Sequence, residues 1–219
     1  VPRPMRPAVS GLMKGPGPTR CVGAQSGFGD TILQRAVSHS VVAPMAVIVM
    51  GVSGSGKSTL GALLASALGA TFLEGDSFHD AAAVAKMRSG QPLNDADRWP
   101  WLDRLGAAID AEVRVNGLVV AACSALRRSY RDRLVAAAGL KLRFVLLDGT
   151  AADLEQRIAR RTGHYMPSSL LASQLATLEM LSPEETGITL DAGLAPGVLC
   201  EAVLGWLDKV PLRGDITTY

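Results

Sequence analysis

Aromatic residues are scarce in this sequence: they make up 5% of its 219 residues, although apolar residues as a whole make up 48%. A chain of this kind still buries a sizeable core, and few rings beside abundant alanine and glycine are common in α/β proteins. Long hydrophobic runs are missing as well, because Pro44 and Gly51 interrupt the longest one, residues 41–52. That run is too short to cross a bilayer, so the sequence predicts no membrane partner.

Cysteine is rare, and its three copies stand far apart at Cys21, Cys123 and Cys200. An odd, scattered set gives no disulfide framework and favours a reducing cytoplasm. A strong charge of one sign is also lacking. Residues 1–44 carry five basic residues and one acidic residue, whereas residues 45–219 carry 17 basic and 19 acidic residues. The body of the chain is therefore not a basic nucleic-acid binder.

The first 44 residues are dense in proline, glycine and serine, and no helical or strand period persists through them. This composition predicts a disordered extension. Because the segment bears arginine and has little acid, a targeting peptide is one alternative, and an upstream extension before a protein that starts at Met45 is another. We expect a folded domain over residues 45–210 and a tail over residues 211–219.

From Met45 onward, strand-like and helix-like segments alternate. The predicted strands are residues 46–50, 71–73, 118–122, 142–147 and 188–190. The predicted helices are residues 57–68, 79–88, 97–115, 127–137, 151–161, 168–180 and 196–209. This order is typical of an α/β fold in which helices sandwich a parallel five-stranded sheet.

The segment GVSGSGKS, residues 51–58, fits the P-loop pattern G-x-x-x-x-G-K-[ST] between a predicted strand and a predicted helix. Its glycines allow turns that point successive backbone N–H groups inward, which together with the helix N-terminus form an anion cradle. We expect Lys57 to reach the β- and γ-phosphates of ATP and the Ser58 hydroxyl to bind Mg²⁺. A Gly/Ser-rich turn that matches by chance is the alternative. The predicted nucleotide-binding residues are Gly51, Ser53, Gly54, Ser55, Gly56, Lys57, Ser58 and Thr59.

Two carboxylates, Glu74 and Asp76, follow the second predicted strand. In open α/β sheets, ligands bind beyond the carboxyl ends of the strands. Asp76 is therefore a candidate to orient an acceptor hydroxyl and take its proton, and Glu74 is a candidate to help hold Mg²⁺. A polar turn with a capping aspartate is the alternative.

The segment GQPLNDADRWPWL, residues 90–102, closely resembles the signature of gluconate kinases and is similar, more distantly, to shikimate kinases. Within it, Arg98 offers a planar fork for a carboxylate. Asp95 and Asp97 can accept from sugar hydroxyls or fix that arginine, although Asp97 can also serve as the N-cap of the next helix. For Trp101, core packing is favoured over contact with a ligand.

Two further segments resemble the same family, CSALRRSYRD at residues 123–132 and RTGHYMPSSLL at residues 161–171. The resemblance implies that Arg127 and Arg131 face the substrate cleft, and that Arg161 stabilises charge on the transferred phosphoryl group from a mobile lid. Arg160 is its neighbour. His164 either contacts substrate or braces the lid, and the match continues through residues 173–179. His79 is a further candidate for substrate binding.

Over residues 47–190, the resemblance implies a P-loop kinase fold with a mobile lid and an acceptor-binding subdomain. It also implies transfer of the γ-phosphoryl group of ATP to the 6-hydroxyl of D-gluconate, with Mg²⁺, by a homodimer. The chain departs from the family at Glu74, Asp80, Ala83 and Met180, where relatives often have Asp, Pro, Asn and Pro. Two alternatives stay open. One is a kinase for another small acid such as shikimate, and the other is a nucleotide-binding regulator that has lost transfer.

Overall fold

The computed structural model describes residues 44–159 and 168–210 of the chain. Its strands are β1 (Met45–Met50), β2 (Thr71–Glu74), β3 (Leu118–Ala122), β4 (Leu142–Asp148) and β5 (Gly187–Asp191). Its α-helices are α1 (Lys57–Leu68), α2 (Ala81–Arg88), α3 (Asp95–Asn116), α4 (Arg128–Ala138), α5 (Ala151–Ala159), α6 (Ser168–Thr177) and α7 (Pro196–Leu207). A 3₁₀ helix, Gly75–Phe78, joins β2 to the loop before α2. Each predicted strand and helix has a counterpart here.

The five strands form one sheet in the order β2-β3-β1-β4-β5, and all four pairings are parallel. Parallel neighbours need crossover connections, which the helices between the strands supply. The predicted parallel five-stranded sheet is therefore confirmed. Because all strands run the same way, the carboxyl ends of β1, β2 and β3 meet at one edge of the sheet.

Helices cover both faces of the sheet, and β1 shows how the sequence achieves this. All six of its residues are buried. Ala46, Ile48 and Met50 pack into the core that includes residues of α3 and α4, whereas Met45, Val47 and Val49 pack into the core that includes residues of α1 and α7. Alternate side chains of a strand point to opposite faces, so a strand with helices above and below is apolar throughout.

Helix α3 begins at Asp95, two residues before the predicted start. Asn94 is its N-cap: the Asn94 side chain accepts from the Asp97 backbone N–H at 2.9 Å, and the Asp97 side chain accepts from the Asn94 backbone N–H at 2.8 Å. This reciprocal capping box satisfies two backbone donors at the helix start. The N-cap, which was the alternative role considered for Asp97, is therefore Asn94, and Asp97 is the third residue of the helix.

Among the other helix boundaries that differ from the prediction, two differ for evident local reasons. Helix α2 begins at Ala81, because the Asp80 side chain caps it by accepting from the Ala83 backbone N–H at 2.8 Å. Helix α6 ends at Thr177, before the predicted Met180. There the backbone N–H of Glu179 donates to the carbonyl of Leu126 at 2.8 Å, which turns the chain toward the start of α4.

Within residues 44–159 and 168–210, no helix is both long and apolar enough to cross a membrane. The predicted extension before Met45, the lid over residues 160–167 and the tail over residues 211–219 lie outside the described residues, apart from Pro44. The proposed domain boundaries therefore stay predictions.

Candidate active site

The P-loop joins β1 to α1, and its glycines adopt backbone angles that other residues rarely reach. Gly51, Gly54 and Gly56 have φ values of 137°, 82° and 100°. A Cβ atom on Gly51 would lie 2.5 Å from the carbonyl oxygen of Leu147, so the loop also passes too close to β4 for any side chain there. Gly51 therefore requires glycine on both counts, whereas Gly56 requires it for its backbone angle alone, since an added Cβ there would meet no atom closer than 4.0 Å.

Helix α1 starts directly after this loop and has no acidic residue in its first turn. Ser58 and Thr59 lie exposed in that turn. The positive end of the helix and its first N–H groups thus stay accessible to an anion. The predicted phosphate-binding residues therefore stand together in a cradle of suitable chemistry.

Two cavities lie on either side of the P-loop. The first, of about 80 Å³, includes among its lining residues Ser53, Lys57, Asp76, His79, Arg98 and Gln174. The second, of about 290 Å³, includes Gly54, Ser55, Gly56, Thr59, Arg157 and Pro196. The P-loop is thus a wall shared by the two cavities, and its residues divide between them.

Charged groups gather at the carboxyl edge of the sheet beside the first cavity. The Lys57 Nζ donates to the Val52 carbonyl at 2.9 Å. The buried thiol of Cys123 reports on its neighbours: burial raises its pKa to about 12, the charges of Asp76 and Glu74 raise it as well, and Lys57 opposes them. The thiol is therefore protonated and unreactive at neutral pH. Asp76, Glu74 and Lys57, which were predicted to act together, are therefore all close enough to Cys123 to shift its pKa.

His79 forms part of the first cavity wall, where its ring stacks on Trp101 with the ring centroids 4.2 Å apart. Trp101 is buried and donates its indole N–H to the Gly75 carbonyl at 2.7 Å, which agrees with the core packing expected for it. Burial lowers the pKa of His79, although the charge of Asp76 opposes this shift. The imidazole is therefore neutral at pH 7, and suited to hydrogen bonding rather than to charge neutralisation.

Arg98 reaches the same cavity from the first turns of α3, and a phenol orients it. Its Nη1 donates to the Tyr130 hydroxyl at 2.9 Å, and that hydroxyl donates to the Asp95 carboxylate at 2.5 Å. Burial and the hydrogen bond to Asp95 raise the pKa of Tyr130. Asp95 thus fixes the arginine through a bridging hydroxyl, which is one of the two roles expected of it. The sequence segment contained Tyr130 but gave no sign of its role.

Two residues predicted to bind substrate have other partners. Asp97 pairs with Lys86 at 2.5 Å, and the hydrogen bond from Lys86 is the main cause of its lowered pKa. Arg127 lies 3.3 Å from the Asp95 carboxylate. Neither Asp97 nor Arg127 is among the described residues that line the first cavity. In this structure both side chains are held by protein partners instead.

Arg131 does not face the cleft, contrary to the prediction. Its side chain is 1% exposed, and its Nε and Nη2 donate to the two carboxylate oxygens of Glu185 at 2.5 and 2.9 Å. Its Nη1 donates to the carbonyl of Glu179 at 3.0 Å. A guanidinium whose hydrogen-bonding directions are filled by protein groups has none left for a substrate carboxylate. Arg131 fastens the chain after α6 to α4.

Gln174, on α6, is a residue to which the sequence assigned no role. Its side-chain oxygen accepts from the backbone N–H of Ser53 in the P-loop at 2.7 Å. The only sequence signal was its place in the segment that continues the family resemblance. Arg160, Arg161 and His164 lie outside the described residues, so their proposed roles stay predictions.

The residues proposed for Mg²⁺ are Ser58 and Glu74, at the start of α1 and the end of β2. A hydroxyl and a carboxylate are hard oxygen donors of the kind that Mg²⁺ takes, alongside water and phosphate oxygens. Among the described residues, no group of three or more His, Cys, Asp or Glu could hold a metal by itself. The donor set fits a cation held jointly with a nucleotide.

Comparison with known proteins gives the family. Residues 47–181 match the family model described as an AAA domain. Over 161 residues the chain is 45% identical to the gluconokinase of Gluconobacter oxydans (strain 621H), an alignment that covers 74% of this chain and 90% of that protein. The chain belongs to the gluconokinase family.

Two solved structures agree with this membership of the gluconokinase family. A gluconokinase from Sinorhizobium meliloti 1021 has a TM-score of 0.69 and 43% identity, covering 76% of this chain and 93% of that one. An unliganded sugar kinase from Janibacter sp. HTCC2649 has a TM-score of 0.72 and 46% identity, covering 78% and 98%. The predicted P-loop kinase fold is confirmed.

Proposed function

We propose that this protein transfers the γ-phosphoryl group of ATP to the 6-hydroxyl of D-gluconate, giving 6-phospho-D-gluconate and ADP. One observation carries the proposal. In a chain of the gluconokinase family, Lys57 of the P-loop lines the same cavity as Asp76 and Arg98. One cavity is thus lined by a group that can bind phosphate (Lys57), one that can activate a hydroxyl (Asp76) and one that can bind a carboxylate (Arg98).

The triphosphate binds the P-loop cradle, and its adenosine end extends into the second cavity. There the loop glycines, Thr59 and Arg157 line one volume with apolar residues of the β5–α7 connection. Lys57 exchanges its bond to the Val52 carbonyl for the β- and γ-phosphates, where its charge offsets the charge that develops during transfer. Mg²⁺, held by Ser58 and Glu74, would neutralise further charge on the same two phosphates.

Gluconate occupies the first cavity with its reacting hydroxyl toward Asp76. That carboxylate orients the hydroxyl and accepts its proton as the oxygen attacks the γ-phosphorus. The far end of gluconate carries a carboxylate, which Arg98 binds with the charge-assisted geometry of a guanidinium. The neutral ring of His79 hydrogen-bonds a hydroxyl between these two ends.

Transfer to a sugar acid competes with transfer to water, so the site must close around its substrates. Family resemblance assigns this closure to a lid that carries Arg160, Arg161 and His164, with Arg161 on the transferred phosphoryl group. Glu74 keeps the charge of the aspartate common in relatives and is longer by one methylene, which bears on where the metal sits. A homodimer and a cytoplasmic location stay predictions of the same resemblance and of the cysteine pattern.

The test is ADP release by the full chain with Mg-ATP and one acceptor at a time: D-gluconate, shikimate, AMP or none. We expect ADP release to depend on the acceptor and to occur with D-gluconate alone. If ADP formed with a different acceptor, the protein would still be a kinase, but gluconate would not be its substrate. A folded sample that binds ATP and releases ADP with none of them would contradict the proposal.

A further inference from the structure

Helix α6 contacts the P-loop at two consecutive residues. The Ser53 backbone N–H donates to the Gln174 side-chain oxygen at 2.7 Å. Just before it, Val52 packs with Leu171 in a small buried cluster, in which the two residues are 2% and 0% exposed. Leu171 and Gln174 are three residues apart and therefore lie on the same face of the helix. One face of α6 thus holds the start of the P-loop by packing and by a hydrogen bond.

Ser53 stands at a particular place in the loop. It lines the first cavity with Asp76, whereas the next three residues of the loop, 54–56, line the second cavity. In the proposed function, the phosphoryl group passes from the second cavity to the first. Ser53 is therefore at the end of the loop where the phosphoryl group leaves the nucleotide, and the orientation of its peptide matters most during transfer.

The other end of α6 is anchored as well. The chain just after the helix gives its Glu179 carbonyl to Arg131 at 3.0 Å, and the Glu179 side chain accepts from the Arg128 backbone N–H at 2.6 Å. The helix thus lies between a fixed anchor on α4 and the P-loop. The P-loop contains three glycines with positive φ, and glycine restricts the backbone little. A side chain from an anchored helix can therefore hold a peptide of this loop in place.

We propose that Gln174 is a positioning residue for phosphoryl transfer, which holds the Ser53 peptide at the acceptor-facing end of the P-loop. The inference rests on the proposed function for its effect on rate, but not for its effect on the loop. Gln174 acts through Ser53, so its loss lowers kcat while leaving the Michaelis constants nearly unchanged. A residue that merely supports the fold would instead lower thermal stability and change all the kinetic constants together.

The experiment compares the full-length wild type with Gln174→Met, which keeps the length of the side chain and removes its oxygen. Gln156→Met, on the exposed side of α5, is the matched control. Gln174→Glu keeps an oxygen acceptor and adds a negative charge. Two quantities are measured for each: the hydrogen-exchange rate of the Ser53 amide, read by NMR without gluconate, and kcat and KM with ATP and D-gluconate.

We expect amide exchange at Ser53 to rise about tenfold in Gln174→Met, because a hydrogen bond to the protein is lost. We also expect kcat to fall about tenfold, with both KM values within about threefold and Tm unchanged. In Gln174→Glu, exchange should return to the wild-type rate, whereas KM for ATP should rise because the new charge repels the phosphates. Gln156→Met should match the wild type.

Two results would overturn the inference. Unchanged exchange at Ser53 in Gln174→Met would show that the side chain does not hold this peptide. Faster exchange with kcat within about twofold of the wild type would show that holding it does not matter for transfer. If the wild type fails to phosphorylate gluconate, the proposed function fails instead, and the exchange measurement still decides whether Gln174 orders the loop.

Discussion

Arg131 and Glu185 form a bidentate ion pair that the protein almost completely encloses, with their side chains 1% and 5% exposed. The pair joins α4 to the chain that leaves α6, and two hydrogen bonds of 2.5 and 2.9 Å define it. A buried pair of this kind contributes through geometry, because it is satisfied only in one arrangement of the two segments. It therefore holds the chain that follows α6 against α4.

Replacing Arg131 should damage stability rather than substrate binding. In Arg131→Met, Glu185 loses its buried bidentate partner and keeps only the partly exposed Arg128 guanidinium, 3.6 Å away, and the Ser182 backbone N–H. Breaking a buried pair in this way costs about 3–5 kcal/mol of unfolding free energy. Urea unfolding measures this loss. Arg133→Met is the matched control on the same helix, since Arg133 pairs with Asp103 where their side chains are 49% and 42% exposed, and such pairs are worth under about 1 kcal/mol.

The kinetic readout separates the two roles of Arg131. At a temperature where Arg131→Met stays folded, KM for gluconate should be within about threefold of the wild type. If KM for gluconate rose tenfold or more while stability was unchanged, Arg131 would contact the substrate after all.

The same pair predicts a pH dependence of stability. Burial alone raises the pKa of Glu185, but hydrogen bonds from Arg131 and from the Ser182 backbone outweigh it and hold the pKa below its ordinary value of 4.5. A carboxyl whose pKa is lower when folded stabilises the protein above its unfolded pKa and loses that contribution as pH falls through the folded pKa.

Between about pH 6 and about pH 3, the unfolding free energy of Glu185→Gln should therefore fall less than that of the wild type, although the variant is less stable at pH 7. Unfolding by urea at a series of pH values measures this. Glu155→Gln, on the exposed surface of α5, should follow the wild-type curve. A Glu185→Gln curve parallel to the wild type would show that this carboxyl does not carry the acid sensitivity.

Tyr130 should act on the acceptor alone. Tyr130→Phe removes the hydroxyl that accepts from Arg98 and donates to Asp95 while keeping the ring in the core. Steady-state kinetics should show KM for gluconate about three- to tenfold higher, with KM for ATP unchanged, because one hydrogen bond that orients the guanidinium is lost. Arg98→Lys, which loses the planar guanidinium, should raise KM for gluconate further. An equal rise in both KM values would contradict this assignment.

Asp76 should be needed for transfer but not for nucleotide binding. Asp76→Asn keeps the size of the side chain and removes its basicity, so kcat should fall about 10²- to 10⁴-fold. Calorimetry should find ATP bound as in the wild type. Asp110→Asn, in a surface pair with Arg114, is the control for loss of a carboxylate. Wild-type turnover by Asp76→Asn would remove this residue from the acceptor role.

The sequence predicted the elements well because their signals are local. The apolar runs of the strands and the glycine pattern of the P-loop depend on neighbours in the chain, and α1 and β3 were predicted to the residue. The early start of α3 depends on Asn94, whose side chain reaches only three residues along the chain, and this signal was readable. The 3₁₀ helix after β2 had no comparable signal.

The roles of the arginines could not be predicted, because they depend on partners far away in the chain. Arg98 and Arg131 are each the fourth residue of a helix, yet Arg98 reaches a cavity and Arg131 meets Glu185, 54 residues later. Ser53 and Gln174 are 121 residues apart, so no local pattern relates them. A resemblance says that such residues belong to a family, whereas only their contacts say what each one does.

If the phosphoryl group of ATP passes to the 6-hydroxyl of D-gluconate, the product carries its phosphate on carbon 6, so the structure of the product is the decisive test. The full-length protein would be incubated with Mg-ATP and D-gluconate, and the product examined by NMR correlation between phosphorus and the sugar-acid protons. We expect a single phosphate ester, coupled to the protons on carbon 6. A phosphate on another carbon, or free inorganic phosphate as the only new phosphorus species beside ADP, would contradict it.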